Sequence, residues 1–216
     1  MIWLAALAGL AALQNPANPP PMAPLAPVVD NRTVHVDRTR LAPGGGLILP
    51  FDRAPLLVIA LGDGDIAISQ DAIEDRSLRS TGSIAFVAKG DSLIANDGPV
   101  SAEILIVEIR AGRPPAPAAP PTEAPPGITR TTLIDNADVR VVRVRFAPGS
   151  AEPVHTHPND LLTIQLTPGR YDISLADTRE TGQFAAGFVK FLPRDVPHAY
   201  ISTDSIAFEL LSISIK

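Results

Sequence analysis

The sequence predicts an all-β protein made of two small barrels in tandem, and three observations carry that prediction. The chain repeats itself at an offset of 105 residues: Val29-Asp30-Asn31 falls over Ile134-Asp135-Asn136, and Arg40-Leu41-Ala42-Pro43-Gly44 over Arg145-Phe146-Ala147-Pro148-Gly149. The same offset lays Gly64 over Gly169, Phe86 over Phe191 and Val107 over Ser212. An ungapped register over about 80 residues marks two related units. Both copies also consist of short Val- and Ile-rich runs bounded by Gly, Pro, Asp and Asn, which is the pattern of strands and turns. Finally, no stretch inside either copy keeps a helical period for three turns. Closing or sandwiching the strands removes exposed edges, so each copy reads as a barrel.

The elements follow in chain order. Residues 2–13 form an apolar run too short to span a bilayer as a helix and of the right length for the core of a secretory signal. Residues 16–27 hold six prolines and act as a tether, so residues 1–28 are assigned to signal and tether. This reading places the protein in the periplasm or outside the cell, with no integral membrane span once the signal is removed. No Lys or Arg precedes the run and no clean Ala-x-Ala site follows it, which keeps a cytoplasmic location as the alternative.

Residues 29–112 make the first barrel, with strands in VHVDRTRL, PLLVIAL, DIAIS, SIAFVA, SLIAN and AEILIVEI. Residues 69–79 come nearest to a helix there, although a hairpin serves equally well. A second tract, residues 113–127 with seven prolines, denies the chain regular hydrogen bonding and reads as a spacer. Residues 128–216 make the second barrel, with strands in VRVVRVRF, DLLTIQL, RYDISLA, GFVKFL, HAYIS and SIAFELLSISI. Barrels this small bury a modest share of their surface, so the two copies are expected to share an interface, and a homodimer is a further option.

Composition excludes several classes. Eighteen basic against 23 acidic residues give a net charge of −5, and the scattered arginines form no groove for phosphates, so nucleic acid is not an expected partner. There is no cysteine, which rules out a disulfide, a zinc ribbon and a thiol nucleophile.

The chemistry lies in the second copy. His155 and His157 stand at i and i+2, a spacing that on a strand turns both imidazoles to one face. His198 follows 41 residues after His157, a separation natural for a strand that returns beside the first. Three imidazoles suit a divalent ion such as iron, manganese, zinc, nickel or copper and leave coordination positions open. The fourth histidine, His35, reads as an exposed strand residue. At the offset of 105, His155, His157 and His198 fall over Pro50, Asp52 and Leu93, so the first copy has no such set.

These motifs resemble those of the cupin superfamily, G-x5-H-x-H-x(3,4)-E-x6-G and G-x5-P-x-G-x2-H-x3-N. The first is met by Gly149, His155, His157 and Gly169, and the second by Gly187, Pro193 and His198. The resemblance implies a bicupin of two jelly-roll barrels, degenerate in the first, with a metal held inside the second. This chain departs from the pattern where Leu162 stands for the glutamate, Asp195 for the second glycine and Ser202 for the asparagine. Leucine offers no lone pair, so the ligand set reduces to three histidines unless another carboxylate reaches in. Asp160 is the nearest candidate, and Glu152 reads as a solvated rim residue.

Leu162, Ile164, Leu166, Phe188, Phe191, Phe208 and Leu210 are the candidate barrel wall, with Leu162, Tyr200 and Phe208 as pocket residues. Tyr200 shares a strand face with His198 and can donate a hydrogen bond to a bound ligand. Arg194 could attract a carboxylate, although Lys89 at its counterpart suggests a surface charge. Three functions stay open: a metal-dependent oxygenase or isomerase acting on a small organic molecule, a non-catalytic small-ligand or metal-binding sensor module, and a structural or partner-binding bicupin without metal.

Overall fold

A computed structural model of the protein describes residues 24–49, 54–70, 74–88, 91–110 and 124–216. The apolar run, most of the two proline tracts, Pro50, Asp52 and Lys89 lie outside them. The first half contains β1 (Ala26–Asp30), β2 (Val34–Leu41), β3 (Gly46–Leu49), β4 (Leu56–Ala60), β5 (Ile66–Gln70), β6 (Glu74–Leu78), β7 (Ile84–Val87), β8 (Ser92–Asn96) and β9 (Ala102–Ile109). The second contains β10 (Ile128–Asp135), β11 (Val139–Phe146), β12 (Ala151–His155), β13 (Leu161–Gln165), β14 (Gly169–Leu175), β15 (Thr178–Phe184), β16 (Val189–Leu192), β17 (His198–Ser202) and β18 (Phe208–Ile215). β1 thus begins at Ala26, inside the stretch assigned to the tether. The described parts of the near-helical stretch 69–79 belong instead to the antiparallel pair β5 and β6, with Ile66 opposite Leu78 and Gln70 opposite Glu74.

Both halves follow one plan. The first pairs its strands in the orders β1-β2-β9-β4-β7 and β3-β8-β5-β6, the second in the orders β10-β11-β18-β13-β16 and β12-β17-β14-β15. The repeated dipeptides explain themselves locally. Asn31 Oδ1 accepts from the Thr33 and Val34 amides, and Asn136 Oδ1 from those of Asp138 and Val139, which closes the same turn twice. Gly44 and Gly149 both take a left-handed conformation after the second strand of their half (φ 67° and 70°), where a Cβ would be strained.

The two five-stranded sheets pack against each other through a shared core. Val34, Val36, Leu57, Ile59, Leu105, Val107 and Ile109 of the first half meet Val139, Val141, Leu162, Ile164, Leu166, Leu211, Ile213 and Ile215 of the second. Full burial of such side chains contributes about 1.5–3 kcal/mol each, so the shared core is a large part of what holds the two halves together. The interface is two-fold in its details. A Cβ on Gly82 would lie 2.7 Å from both Arg143 and Leu166, and one on Gly187 would lie 2.9 Å from Leu61 and 3.1 Å from Arg38. These contacts map onto each other at an offset of 105, as they do across an isologous dimer.

The strand register corrects the sequence alignment near the site. Ile68 lies opposite Ile94 as Ile173 lies opposite Tyr200, and Leu49 lies opposite Ser92 as His155 lies opposite His198. The second half therefore carries one extra residue in the loop before β17. The counterpart of His198 is Ser92 rather than Leu93, and that of His155 is Leu49 rather than Pro50. Val107 likewise corresponds to Ile213, since Val36 faces the former as Val141 faces the latter.

Candidate metal centre

β12 is the edge strand of its sheet and pairs with β17. Pro153 has no amide hydrogen to give to the ladder, and the register shifts between Glu152 and His155. Strict alternation would put residues three apart on opposite faces. The bulge cancels it, so Glu152 stands opposite Tyr200, His155 opposite His198, and all four side chains turn inward. His157 follows two residues later, its carbonyl accepting from the Asp195 amide at 2.9 Å.

The three imidazoles converge. Their nearest ligand-capable nitrogens lie within 4.8 Å of one another, and the Nε2 atoms of His155 and His157 are 3.0 Å apart. Ring centroids are separated by 4.4 to 5.0 Å. His155 Nδ1 donates to the Pro153 carbonyl at 2.9 Å and His198 Nδ1 to the Val196 carbonyl at 3.0 Å. With Nδ1 as the donor, Nε2 carries the lone pair, which is the tautomer a metal needs. Burial, reinforced by the neighbouring His155, His198 and Arg130, lowers the His157 pKa to about 3. Burial also lowers that of His198, partly offset by its bond to the Val196 carbonyl. At neutral pH these two rings are held uncharged and ready to ligate. The donor set fits a divalent transition ion.

The loop between β16 and β17 is stitched to the histidine pair. Asp195 stands at the second glycine position of the cupin motif and takes a left-handed conformation, with φ 61°. A short polar side chain tolerates the left-handed region better than most. Asp160 Oδ1 accepts from the Arg194 amide at 2.9 Å, and its Oδ2 accepts from the Thr33 hydroxyl of the other barrel at 2.9 Å. Asp160 is therefore turned away from the histidine group and is not its fourth ligand. It ties loop, strand and interface together. Arg194 is half-buried, with its Nε 3.8 Å from its neighbour Asp195.

The wall residues divide by face. Leu162, Ile164, Leu166 and Phe191 belong to the shared core between the barrels, whereas Phe188, Phe208 and Leu210 pack inside the second barrel. Leu162 is thus not a pocket residue. On β13 the inward positions are Leu161, Thr163 and Gln165, and Leu161 packs with Tyr171, Leu192 and Tyr200. Phe208 does lie inside, stacked on Phe146 at 4.9 Å and Tyr171 at 5.1 Å, and it fills the space over Gly169, where a Cβ would approach its ring to 2.6 Å. Tyr200 is buried beside His198, with ring centroids 6.1 Å apart, and burial raises its pKa above the usual tyrosine range, so it stays a donor. Its hydroxyl approaches Thr163 without closing a hydrogen bond of ordinary geometry.

Two residues read differently from the sequence. Glu152 is not a solvated rim residue: its side chain is 13% exposed, lies 3.8 Å from His155 Nε2 and is paired with Arg130. His35, expected on an exposed face, is largely buried between Asp30 and Asp37, 3.2 and 3.1 Å away.

Two jelly-roll barrels in tandem, one with three converging histidines and one with an apolar interior, define the class of protein. The fold is that of the cupins, present twice in tandem. No family model matches the chain. In sequence it is 29% identical over 91 residues to the beta-alanine degradation protein BauB of Pseudomonas aeruginosa, a match that covers 42% of this chain and 96% of that protein. Among solved structures it is similar to AerE from Microcystis aeruginosa, with TM-score 0.67, 13% identity, and coverage of 90% of this chain and 99% of that one. It is also similar to a cupin 2 conserved barrel domain protein from Leptotrichia buccalis (TM-score 0.62, 15% identity, coverage 92% and 91%). A salicylate 1,2-dioxygenase from Pseudoaminobacter salicylatoxidans with gentisate gives TM-score 0.68 at 9% identity, covering 90% of this chain and 75% of that one. At these identities the structural likeness is one of fold. No helix among the described residues is long and apolar enough to cross a membrane.

Proposed function

We propose that the second barrel holds a divalent transition ion on His155, His157 and His198 and acts on a small organic molecule, as an oxygenase or isomerase. The observation that carries this reading is the convergence of three imidazoles, two of them with Nδ1 committed to a backbone carbonyl. Bound there, the ion would supply Lewis acidity or redox chemistry at the barrel mouth. The chain's own residues prepare the site. Backbone carbonyls fix the ring orientations, burial keeps His157 and His198 uncharged, and the Tyr200 hydroxyl offers a buried donor to an oxygen of the ligand. The rings of Phe146, Tyr171, Phe184 and Phe208 stack together in the core of the second barrel, which favours a small ligand near the histidines.

That same filling supports a second reading, a binding or sensor module that holds metal or a small ligand without turnover. The apolar N-terminal run supports export as its destination.

The test is elemental analysis of protein purified without chelator, beside the His155→Ala/His157→Ala double variant. About one ion per chain, lost in the variant, is the expected outcome. Iron would direct a substrate screen to dioxygen-consuming reactions. Wild-type protein that neither carries metal nor takes it up on reconstitution would overturn the reading. A loaded protein that turns over nothing would leave the binding module.

A further inference from the structure

We propose that Glu152 is the carboxylate of this metal centre, supplied from the β12 bulge in place of the glutamate that the motif lacks, with Arg130 as its counter-ion until the metal displaces it; this rests on the three-histidine reading above. The first support is geometric. Two donors on one ion at about 2.0–2.2 Å can be at most about 4.4 Å apart, and the Glu152 carboxylate, which Arg130 holds outside the group of three histidine donors lying within 4.8 Å of one another, is 3.8 Å from His155 Nε2, so release from Arg130 is the step that would bring it onto the ion. The bulge puts Glu152 on the histidine face, and bulges commonly re-aim side chains beside active sites.

The second support comes from the first barrel, which serves as an internal control. By strand register, Glu152, His155 and Tyr200 correspond to Leu47, Leu49 and Ile94, all buried in the first barrel's apolar core. Arg130 corresponds to Leu25, which packs against that core. The acid and its arginine are therefore present where the histidines are present, and both are leucine where the histidines are absent. A surface ion pair would have no reason to follow the site in this way. A carboxylate 13% exposed needs a cation, and Arg130 provides it until a metal does.

The test is titration of metal-free protein with Co2+, followed by calorimetry and by the visible absorption of the bound ion, for wild type, Glu152→Gln, Arg130→Met and the double histidine variant. Circular dichroism and melting temperature establish that each is folded. Wild type is expected to bind one Co2+ per chain, and Glu152→Gln to bind it at least about tenfold more weakly with a changed spectrum, on the scale seen when metal-site partners are removed. Arg130→Met removes both a competitor for the carboxylate and a repelling charge, so it is expected to bind more tightly. Glu152→Gln with wild-type affinity and spectrum would overturn this proposal and leave the three-histidine site standing. If Glu152→Gln does not fold, unchanged or weaker binding in Arg130→Met overturns it. Wild type that binds no Co2+ overturns both readings.

Discussion

His155 lies directly opposite His198 across the β12–β17 pair, in the register that Leu49 and Ser92 occupy in the first barrel. The centre is thus a set of side-chain substitutions on a shared framework, with histidines where the first barrel has a leucine and a serine. Around the histidines, one extra residue before β17 and a bulge at Pro153 distinguish the two versions among the described residues. The apolar copy shows what the framework does without a site: it supplies one half of the shared core.

Restoring the missing glutamate at Leu162 is expected to fail. Leu162 is fully buried among Val141, Ile213 and residues of the first barrel, so Leu162→Glu places a carboxylate in an apolar interface without a partner. The expected cost is several kcal/mol, enough to lower the melting temperature sharply or to leave the protein insoluble, with no gain in metal affinity. Leu162→Met is the control, with an expected cost below about 1.5 kcal/mol. A stable Leu162→Glu protein with tighter metal binding would show that this side chain reaches the barrel interior.

The strands, the repeated turns and the histidine cluster were legible because each rests on local chemistry: Val and Ile runs, Asp-Asn and Pro-Gly turns, and an i, i+2 pair. The facing of β13 was not. Leu161 and Leu162 are both apolar, and nothing in Leu-Leu-Thr-Ile-Gln tells an inward face from one buried under another barrel, since both faces are dry. Glu152 was misplaced for a different reason. Period-two alternation sets it against His155, and only the proline at position 153 hinted that the ladder breaks there. Asp160 looked like a ligand because sequence distance cannot show that Thr33, 127 residues away, claims its oxygen.

Asp160 links Thr33 in the other barrel to the loop that delivers His198, so its removal should show in stability and in metal binding together. Asp160→Ala leaves the Arg194 amide and the Thr33 hydroxyl without their acceptor, at an expected cost of about 1–3 kcal/mol for each group left unpaired. Thr33→Ala removes only the inter-barrel bond. It should lower the denaturation midpoint by less and leave metal affinity near wild type. Equal loss of metal affinity in both variants would mean that the interface, rather than the loop, controls the histidines.

Asp195 is held at φ 61° by the loop before His198, a conformation that costs a residue with a side chain roughly 1–2 kcal/mol relative to glycine. Asp195→Gly is expected to be as stable as wild type or slightly more so, because its side chain is exposed and its 3.8 Å approach to Arg194 is weak. Asp195→Val, branched at Cβ, should destabilise the protein and weaken metal binding by displacing the amide that His157 uses. Chemical denaturation of the three proteins, each with a metal titration, decides the matter.

The metal-free protein should lose stability on mild acidification, and His157 should account for much of the loss. Its folded pKa is depressed from 6.5 to about 3 by burial, and that of His198 is depressed in the same direction. Between those values the unfolded chain binds a proton that the folded chain does not, so unfolding gains from every fall in pH across that range. The contribution is fully present above about 6.5 and is lost progressively towards 3, at no more than about 1.4 kcal/mol per pH unit for each group. The ion-paired carboxylates Asp30, Asp135 and Asp172 have pKa values lowered from 3.8, so their losses begin in the lower part of the range. Urea midpoints of metal-free wild type and His157→Gln at pH 7.0 and at about pH 5 therefore isolate the histidines. A smaller drop in His157→Gln is expected, and equal drops would show that this imidazole takes up its proton in the folded protein as readily as in the unfolded one.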